Sequence, residues 1–528
     1  MSKSLRTLMV VTAVFVATAM ALTGCQNAGN TTTSAPAVAA TTAAATADAS
    51  KAPASAEAVT TPVPVKLEAY QIDYFMLSNG PYPKMGDIDA ALSKVMTEKF
   101  NATLKTTMIA WGDWTAKVTT RLSSGDKIDV VFTADWYGYS RDITAQLFSP
   151  LNELLAKDAP ETVATLGDQF VKGSQVNGIN YGVPTEKELC VPGGMIFNKV
   201  LVDKYGFDIT KITKEEDLEP MLAKIKTSEP NIIPYLFVGD AFHVNFFSPA
   251  SDFGDAIVKA DGVSTKAEWA FANAEYVTHF NLMRKWYKAG YIHPDAALDS
   301  FKYGDRLIAE GWFATSQPLK GNNIKADELG AQSRDGKLKL VEQTITNKYT
   351  YSNDCGGSML AIPVTSKDPD RAMMFINLIH TDKAAVNLLA WGIEGVNYTK
   401  VAGKDNIVSV VKDNGYTSQV LLWTLGSQFL HFVADTENPD KMNLLKSYAQ
   451  DAKPSILLGF RYSPEKITDQ KAAYDNISKK YSKPIRCGAV DPATELAKFT
   501  TEAKAAGLDT IMADVQGQID TWLAAQKK

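Results

Sequence analysis

The stretch Ile128-Asp129-Val130-Val131-Phe132-Thr133-Ala134-Asp135-Trp136-Tyr137 decides how this chain folds. Its first six residues are a short apolar, β-branched run that follows a Ser123-Ser124-Gly125-Asp126 turn, the pattern of a strand buried within a sheet. Upstream lie a helical pattern from Asp113 to Leu122 and a strand over 104–109. Before these, Asp87 is placed to cap a helix with Ile88, Ala91, Leu92, Val95, Met96 and Phe100 on one face. The opening run from Leu67 to Phe75 alternates as a strand and ends in the turn Gly80-Pro81-Tyr82-Pro83. Strand, helix, strand, helix, strand at this spacing predicts a parallel α/β sheet. In such sheets ligands sit beyond the carboxyl ends of the strands, so position alone nominates Trp136 and Tyr137. Trp111 flanks another strand-to-helix loop and suits a cleft or a core equally; Trp114, at helical register with Val118, reads as core.

Downstream, two segments read as crossings between lobes. One is Gly182-Val183-Pro184-Thr185-Glu186-Lys187-Glu188-Leu189-Cys190-Val191-Pro192, leading into strand Met195–Asn198. The other is Tyr351-Ser352-Asn353-Asp354-Cys355-Gly356-Gly357, leading into a strand from Ser358 to Ile362. Amphipathic runs near 214–227, 266–289 and 302–310 lie between them, and Leu508, Ile511, Met512, Val515, Ile519, Trp522 and Leu523 form one face of a terminal helix. A body of roughly 460 residues is too long for one core. The reading is a two-lobed α/β fold: 66–185 with 356–415 as the first lobe, and 186–355 with 416–528 as a helix-rich second lobe.

The N-terminus addresses the chain. Lys3 and Arg6 precede an apolar and small-residue run from Leu8 to Leu22, the n- and h-regions of a signal peptide over 1–24. Leu22-Thr23-Gly24-Cys25 resembles the lipobox of bacterial lipoproteins, which implies lipidation of Cys25. Two acyl chains give stable anchoring where one does not. From Gln26 to Val65 the chain is Ala, Thr, Ser, Pro, Gly and Asn with almost no charge, the composition of a disordered tether.

Without Lys3 and Arg6, the 54 basic residues fall to 52 against 59 acidic ones, net −7. That balance, with no basic run, argues against a nucleic-acid partner. The five His form no His-Glu-x-x-His pair, no Cys-x-x-Cys exists, and Gly330 to Gly336-Lys337 has the wrong spacing for a phosphate loop. With no Gly-x-Ser-x-Gly elbow either, the expectation is a binding protein without metal or cofactor, not an enzyme.

These elements together resemble the extracellular solute-binding lipoproteins of ABC importers, the maltose-binding-like class. The Ser124-Gly125-Asp126 to Val131 element, Ala361-Ile362-Pro363 with Ser366-Lys367-Asp368-Pro369, and the "GIEG…Y" signature in Trp391-Gly392-Ile393-Glu394-Gly395-Val396-Asn397-Tyr398 carry the likeness. The tail adds Leu458-Gly459-Phe460, Gly488 to Pro492 and Gln518 to Trp522. One departure stands: Trp423 is followed by Gly426-Ser427 where the subgroup usually has Gly-Asn, which puts a ligand role for that turn in doubt. The resemblance implies a Venus-flytrap fold that closes by a hinge on a carbohydrate and delivers it to a membrane permease. It further implies a monomer held to the outer face of the cell membrane, in a Gram-positive setting. An oligopeptide receptor on the same fold, or a secreted glycan-active enzyme, remains as an alternative.

The candidate ligand residues are Trp136, Tyr137, Trp111, Glu186, Trp312, Asp354, Trp391 and Glu394. Glu186 and Asp354 either bond ligand hydroxyls or are solvated hinge charges. Trp312, after Gly311 in a second-lobe loop, either stacks from the opposite side or packs in a core. Trp391 either stacks or closes a helix end, and Glu394 either meets ligand or fixes its turn. Cys190 and Cys355 are either bridged or two buried thiols.

Overall fold

The computed structural model describes residues 67–238, 246–250, 253–333 and 338–527. The signal segment 1–24, Cys25 and the tether to Val65 lie outside the described residues.

The chain opens with β1 (Tyr70–Ser78), α1 (Met85–Phe100), β2 (Ala102–Ala110), α2 (Trp114–Ser124) and β3 (Val130–Thr133). It continues through α3 (Pro160–Gly173, interrupted at Gly167) to the short β4 (Gly182–Pro184). α1 starts earlier than expected, because the Pro-rich turn feeds straight into it through Met85 N–H donating to Tyr82 O (3.1 Å). Asp87 therefore sits inside the first turn, where its charge still complements the helix dipole, and does not cap. Asn101 ends α1 at φ +49°, a left-handed position that Asn tolerates, and the chain reverses into β2.

After the first crossing come β5 (Gly193–Asn198), β6 (Ile233–Tyr235), α4 (Ala274–Lys288), β7 (Trp312–Pro318), α5 (Ile324–Ala331) and β8 (Leu340–Thr344). The second crossing holds a short helix, Ser352–Gly356, and returns through β9 (Met359–Ala361) to α6 (Pro369–Thr381) and α7 (Lys383–Trp391). The remainder carries α8 (Lys441–Ala449), α9 (Thr468–Arg486), α10 (Pro492–Ala505) and α11 (Leu508–Gln526).

The first sheet has the order β2-β1-β3-β9-β4. β1 is parallel to β2, from Tyr70↔Ala102 to Ser78↔Ala110, and to β3 at Tyr74↔Val130. β9 runs antiparallel to β3 (Met359↔Thr133) and to β4 (Met359↔Pro184). The carboxyl ends of β3 and β4 and the amino end of β9 therefore meet at one end of the sheet. Both crossings leave from that end, the end at which sheets of this kind generally receive a ligand.

The second sheet has the order β8-β5-β7-β6, with β7 and β8 antiparallel to β5. Its side chains alternate with the period of two that strands impose. Met195, Phe197 and Phe313 face one core with Trp286, while Ile196, Trp312 and Leu340 face another with Leu329. A further core joins Trp269, Phe271 and Phe280 to Tyr474, Phe499, Ile511, Val515 and Ile519. Leu508, Ile511, Val515 and Ile519 are the buried stripe of α11, with Met512, Trp522 and Leu523 at its margin.

The stretch after 415, expected in the second lobe, first packs in the first: Tyr416, Leu425 and Phe432 lie in that core, and Tyr416 Oη donates to Leu389 O (2.6 Å). Only from α8 does the chain join the second sheet, where the Tyr448 and Thr344 hydroxyls bond at 3.1 Å. The segment between is a third passage between lobes.

Candidate ligand-binding site

Past β3 the backbone turns sharply. Tyr137 N–H donates to Ala134 O (2.9 Å), Gly138 N–H donates to Asp135 O (3.2 Å), and Gly138 closes the turn at φ +87°. This single helical turn, Asp135–Tyr137, throws the Trp136 ring outward. Trp136 is 45% exposed and Trp111 39%, and the two rings stack with centroids 5.5 Å apart at 27°. Trp423 completes the group, 5.6 Å from Trp111 and 6.1 Å from Trp136. The rings rest on a buried floor, with Phe132 edge-on to Trp114 (5.6 Å) and to Trp423 (5.8 Å). Tyr137, half-buried, braces Trp136 from 4.2 Å.

Two of the three indole N–H groups are already used. Trp136 Nε1 donates to Gly357 O (2.8 Å) and Trp111 Nε1 donates to Asn79 Oδ1 (3.2 Å). What remains for a ligand is aromatic face, suited to apolar C–H surface. Trp423 was not among the expected ligand residues; in the sequence it was marked only by the altered turn that follows it. It lies far along the chain from Trp111 and Trp136, so its place in the platform depends on the tertiary fold.

The two crossings are stitched together. Thr185 N–H donates to Ser358 O (2.9 Å), and their hydroxyl oxygens are 2.9 Å apart. Glu186 is buried: its N–H donates to Gly426 O (3.0 Å), its C=O accepts from Gln428 N–H (2.8 Å), and its carboxylate accepts from the Ser427 hydroxyl. Burial pushes the Glu186 carboxyl above its ordinary range, against the opposing pull of the Ser427 hydroxyl and Lys446. Gly426 is required there, since a Cβ would lie 2.0 Å from Ile379 O. The altered Gly426-Ser427 turn thus serves to hold Glu186.

Asp354 is no solvated hinge charge. It is buried, caps its own short helix by accepting from Tyr351 N–H (2.7 Å), and burial raises its carboxyl to about 7. Cys190 and Cys355 are free, buried thiols; Cys355 fills the space left by Gly173, where a Cβ would meet its Sγ at 2.4 Å.

Three expected ligand residues stand apart from the platform. Trp312 is the first residue of β7, not part of a loop, and strand alternation sends it into the core beside Ile196 and Leu329, 1% exposed. Trp391 ends α7 and is buried in the first core. Glu394 is exposed and pairs with Lys400 (3.4 Å), fixing its own turn.

Beyond Glu186 the first crossing enters an ionic cluster. Lys320 lies 3.4 Å from Glu188 and 3.1 Å from Glu328, while Lys441 lies 3.0 Å from Glu328 and 2.6 Å from Glu437. Burial alone would raise the Glu328 carboxyl, but Lys320 and Lys441 overcome it and hold it down to about 2. The cluster ties the first crossing to the segment after β7, to α5, to α8 and to the third passage. Elsewhere, a groove of about 560 Å³ between α3, residues 454–458 and α11 shares no lining residue with the platform.

Compared with known proteins, residues 82–386 match the model of the bacterial extracellular solute-binding protein family. The chain belongs to that family. Residues 456–524 match a second model, a domain of unknown function termed DUF3502. A carbohydrate ABC transporter substrate-binding protein of Streptococcus pneumoniae serotype 4 (strain ATCC BAA-334 / TIGR4) is 27% identical over 448 residues, 84% of this chain and 89% of the relative. Among solved structures, the N-glycan transport solute binding protein NgtS from Streptococcus pneumoniae superposes with a TM-score of 0.77 at 26% identity, covering 86% of this chain and 99% of that one. The same protein in complex with Man5GlcNAc gives 0.67 at 26% identity, covering 87% and 99%. This solute-binding protein therefore has the two-lobed α/β architecture that its sequence implied.

Proposed function

We propose that this protein is the carbohydrate-capturing subunit of an ABC importer, and that its cargo is an oligosaccharide of the N-glycan type. The observation that carries the reading is the open platform of Trp111, Trp136 and Trp423 at the hinge end of the first sheet. A pyranose presents an apolar C–H face, and an indole face with its own N–H already bonded offers a matching surface. Similarity over most of both chains to NgtS, solved with Man5GlcNAc, supports the same substrate class.

The lobes on this reading are 67–185 with 356–434, and 186–355 with the C-terminal part, joined by three passages. Glu186, held by Ser427 at the junction, offers an acceptor to ligand hydroxyls when the lobes close. Lipidation at Cys25 and the tether to Val65 keep the body beside its permease, as a monomer on the outer face of the membrane. A thermal-shift panel of mannose- and N-acetylglucosamine-containing oligosaccharides, monosaccharides and peptides tests the reading. Oligosaccharides should raise the melting temperature. A response to peptides alone overturns the carbohydrate assignment, and turnover of a bound glycan overturns the transport role.

A further inference from the structure

Immediately under the platform lies a buried ion pair that stacking of sugars does not require. Arg461 and Asp135 are each 4% exposed in their side chains, with Nε and Oδ1 3.0 Å apart. Arg461 comes from the C-terminal stretch matched by the domain of unknown function. Its Nη2 donates to Gly173 O at the end of α3 (2.7 Å) and to Ser352 O in the second crossing (3.3 Å). Its guanidinium also lies over the buried Tyr139 ring, 5.8 Å from the centroid. Room for the pair is kept by Gly356, where a Cβ would lie 2.1 Å from Asp135 Oδ2 and 2.3 Å from Arg461 Nη2.

Burying two charges is costly, and an apolar pair of the same volume would stabilise the fold as well or better. What an apolar pair cannot do is fix direction. A planar guanidinium offers donors at set angles, and here Nη2 bonds the backbone of α3 and of the second crossing, which holds the cation in place beside the Asp135 carboxylate. Asp135 is the first residue of the turn whose next two residues are Trp136 and Tyr137. The Trp136 indole in turn hangs from Gly357 O, next to the glycine that makes room for the pair.

We infer that Arg461 is a positioning residue for ligand recognition: through Asp135 it sets the orientation of the Trp136 ring, so that the C-terminal segment determines the geometry of a platform in the first lobe. The recognition half of this inference rests on the carbohydrate reading above; the orientation half does not.

The test uses the full chain as wild type, R461M, R461K and W136A. Two tryptophans stacked at 5.5 Å produce an exciton couplet in circular dichroism, which reports ring geometry with no ligand present. W136A marks the signal lost with the ring. R461M should lower the couplet about twofold or more in protein still folded by its denaturation profile, and weaken Man5GlcNAc binding about tenfold. R461K, which keeps the charge but loses the fork, should fall between, and it replaces R461M should that variant not fold. R461M in a W136A background should cost no further affinity. An unchanged couplet with only a lower unfolding midpoint shows that Arg461 is merely structural and overturns the inference. A reduced couplet with unchanged affinity overturns it as well. Should wild type bind no glycan, the carbohydrate reading fails, and the couplet alone still decides whether Arg461 orients the platform.

Discussion

Trp136 and Trp312 occupy opposite ends of comparable strands and have opposite fates. Trp136 follows the carboxyl end of β3, on a turn that Gly138 closes, and stands nearly half exposed. Trp312 opens β7 at its amino end and is sealed in a core between Ile196 and Leu329. The sequence nominates Trp136 by its place past the end of a strand and Trp312 as an aromatic in a second-lobe loop after Gly311. Strand direction separates them: side chains past the carboxyl end are released to the ligand edge, while the first residue of a strand already obeys its alternation.

Truncating each ring separates the two tryptophans by the largest margin. W312A should cost about 3–5 kcal/mol of stability in urea unfolding, because it leaves a cavity in a closed core. W136A should cost under about 1 kcal/mol, since its ring is half in solvent already. Equal losses would mean that the two tryptophans do the same job.

The ionic cluster of the second lobe gives the next largest effect. K320M leaves Glu188 without its closest cation and weakens the charge balance around Glu328, both well buried. Breaking a buried network in this way should destabilise by about 3 kcal/mol. A neutral outcome in urea unfolding would place the cluster in water rather than at a sealed junction.

A smaller effect belongs to Asp354, whose carboxyl is raised to about 7 by burial. Between its unfolded value near about 4 and that figure, the folded state holds a proton that the unfolded chain has released. Stability contributed by Asp354 is therefore present at low pH and lost as pH rises toward 7. D354N, which still accepts from Tyr351 N–H, should gain on wild type between about pH 5 and pH 8, measured as the difference in denaturation midpoint. Glu328 has the opposite sign: held down to about 2, its contribution is present above the unfolded carboxylate range and fades only as pH falls below it. The smallest effect is expected of E394Q, an exposed partner of Lys400, which should change stability by less than about 0.5 kcal/mol and affinity not at all.

Much of the first lobe was legible because its signals are local. The apolar run at Val130–Thr133, the turn before it and the helix faces are all written within a dozen residues. The crossings were legible from their Gly and Pro content and the strands after them. The rest depends on long-range pairing. That β9 and β4 run antiparallel to β3 follows from how the crossings return. That Tyr416 to Phe432 stays with the first core reflects packing against α7, which no local period reports. Trp423 and Arg461 reach the site from far along the chain, and Glu186 is held by Ser427 in the turn that departed from the family pattern.

On the proposed reading, a sugar stacks on the exposed indole faces at the hinge end of the first sheet. Calorimetric titration of Man5GlcNAc into the full chain and into its W136A variant tests it most directly. Wild type should bind saturably, and W136A should lose about tenfold or more in affinity with its fold intact. Equal affinity in the two proteins would contradict it.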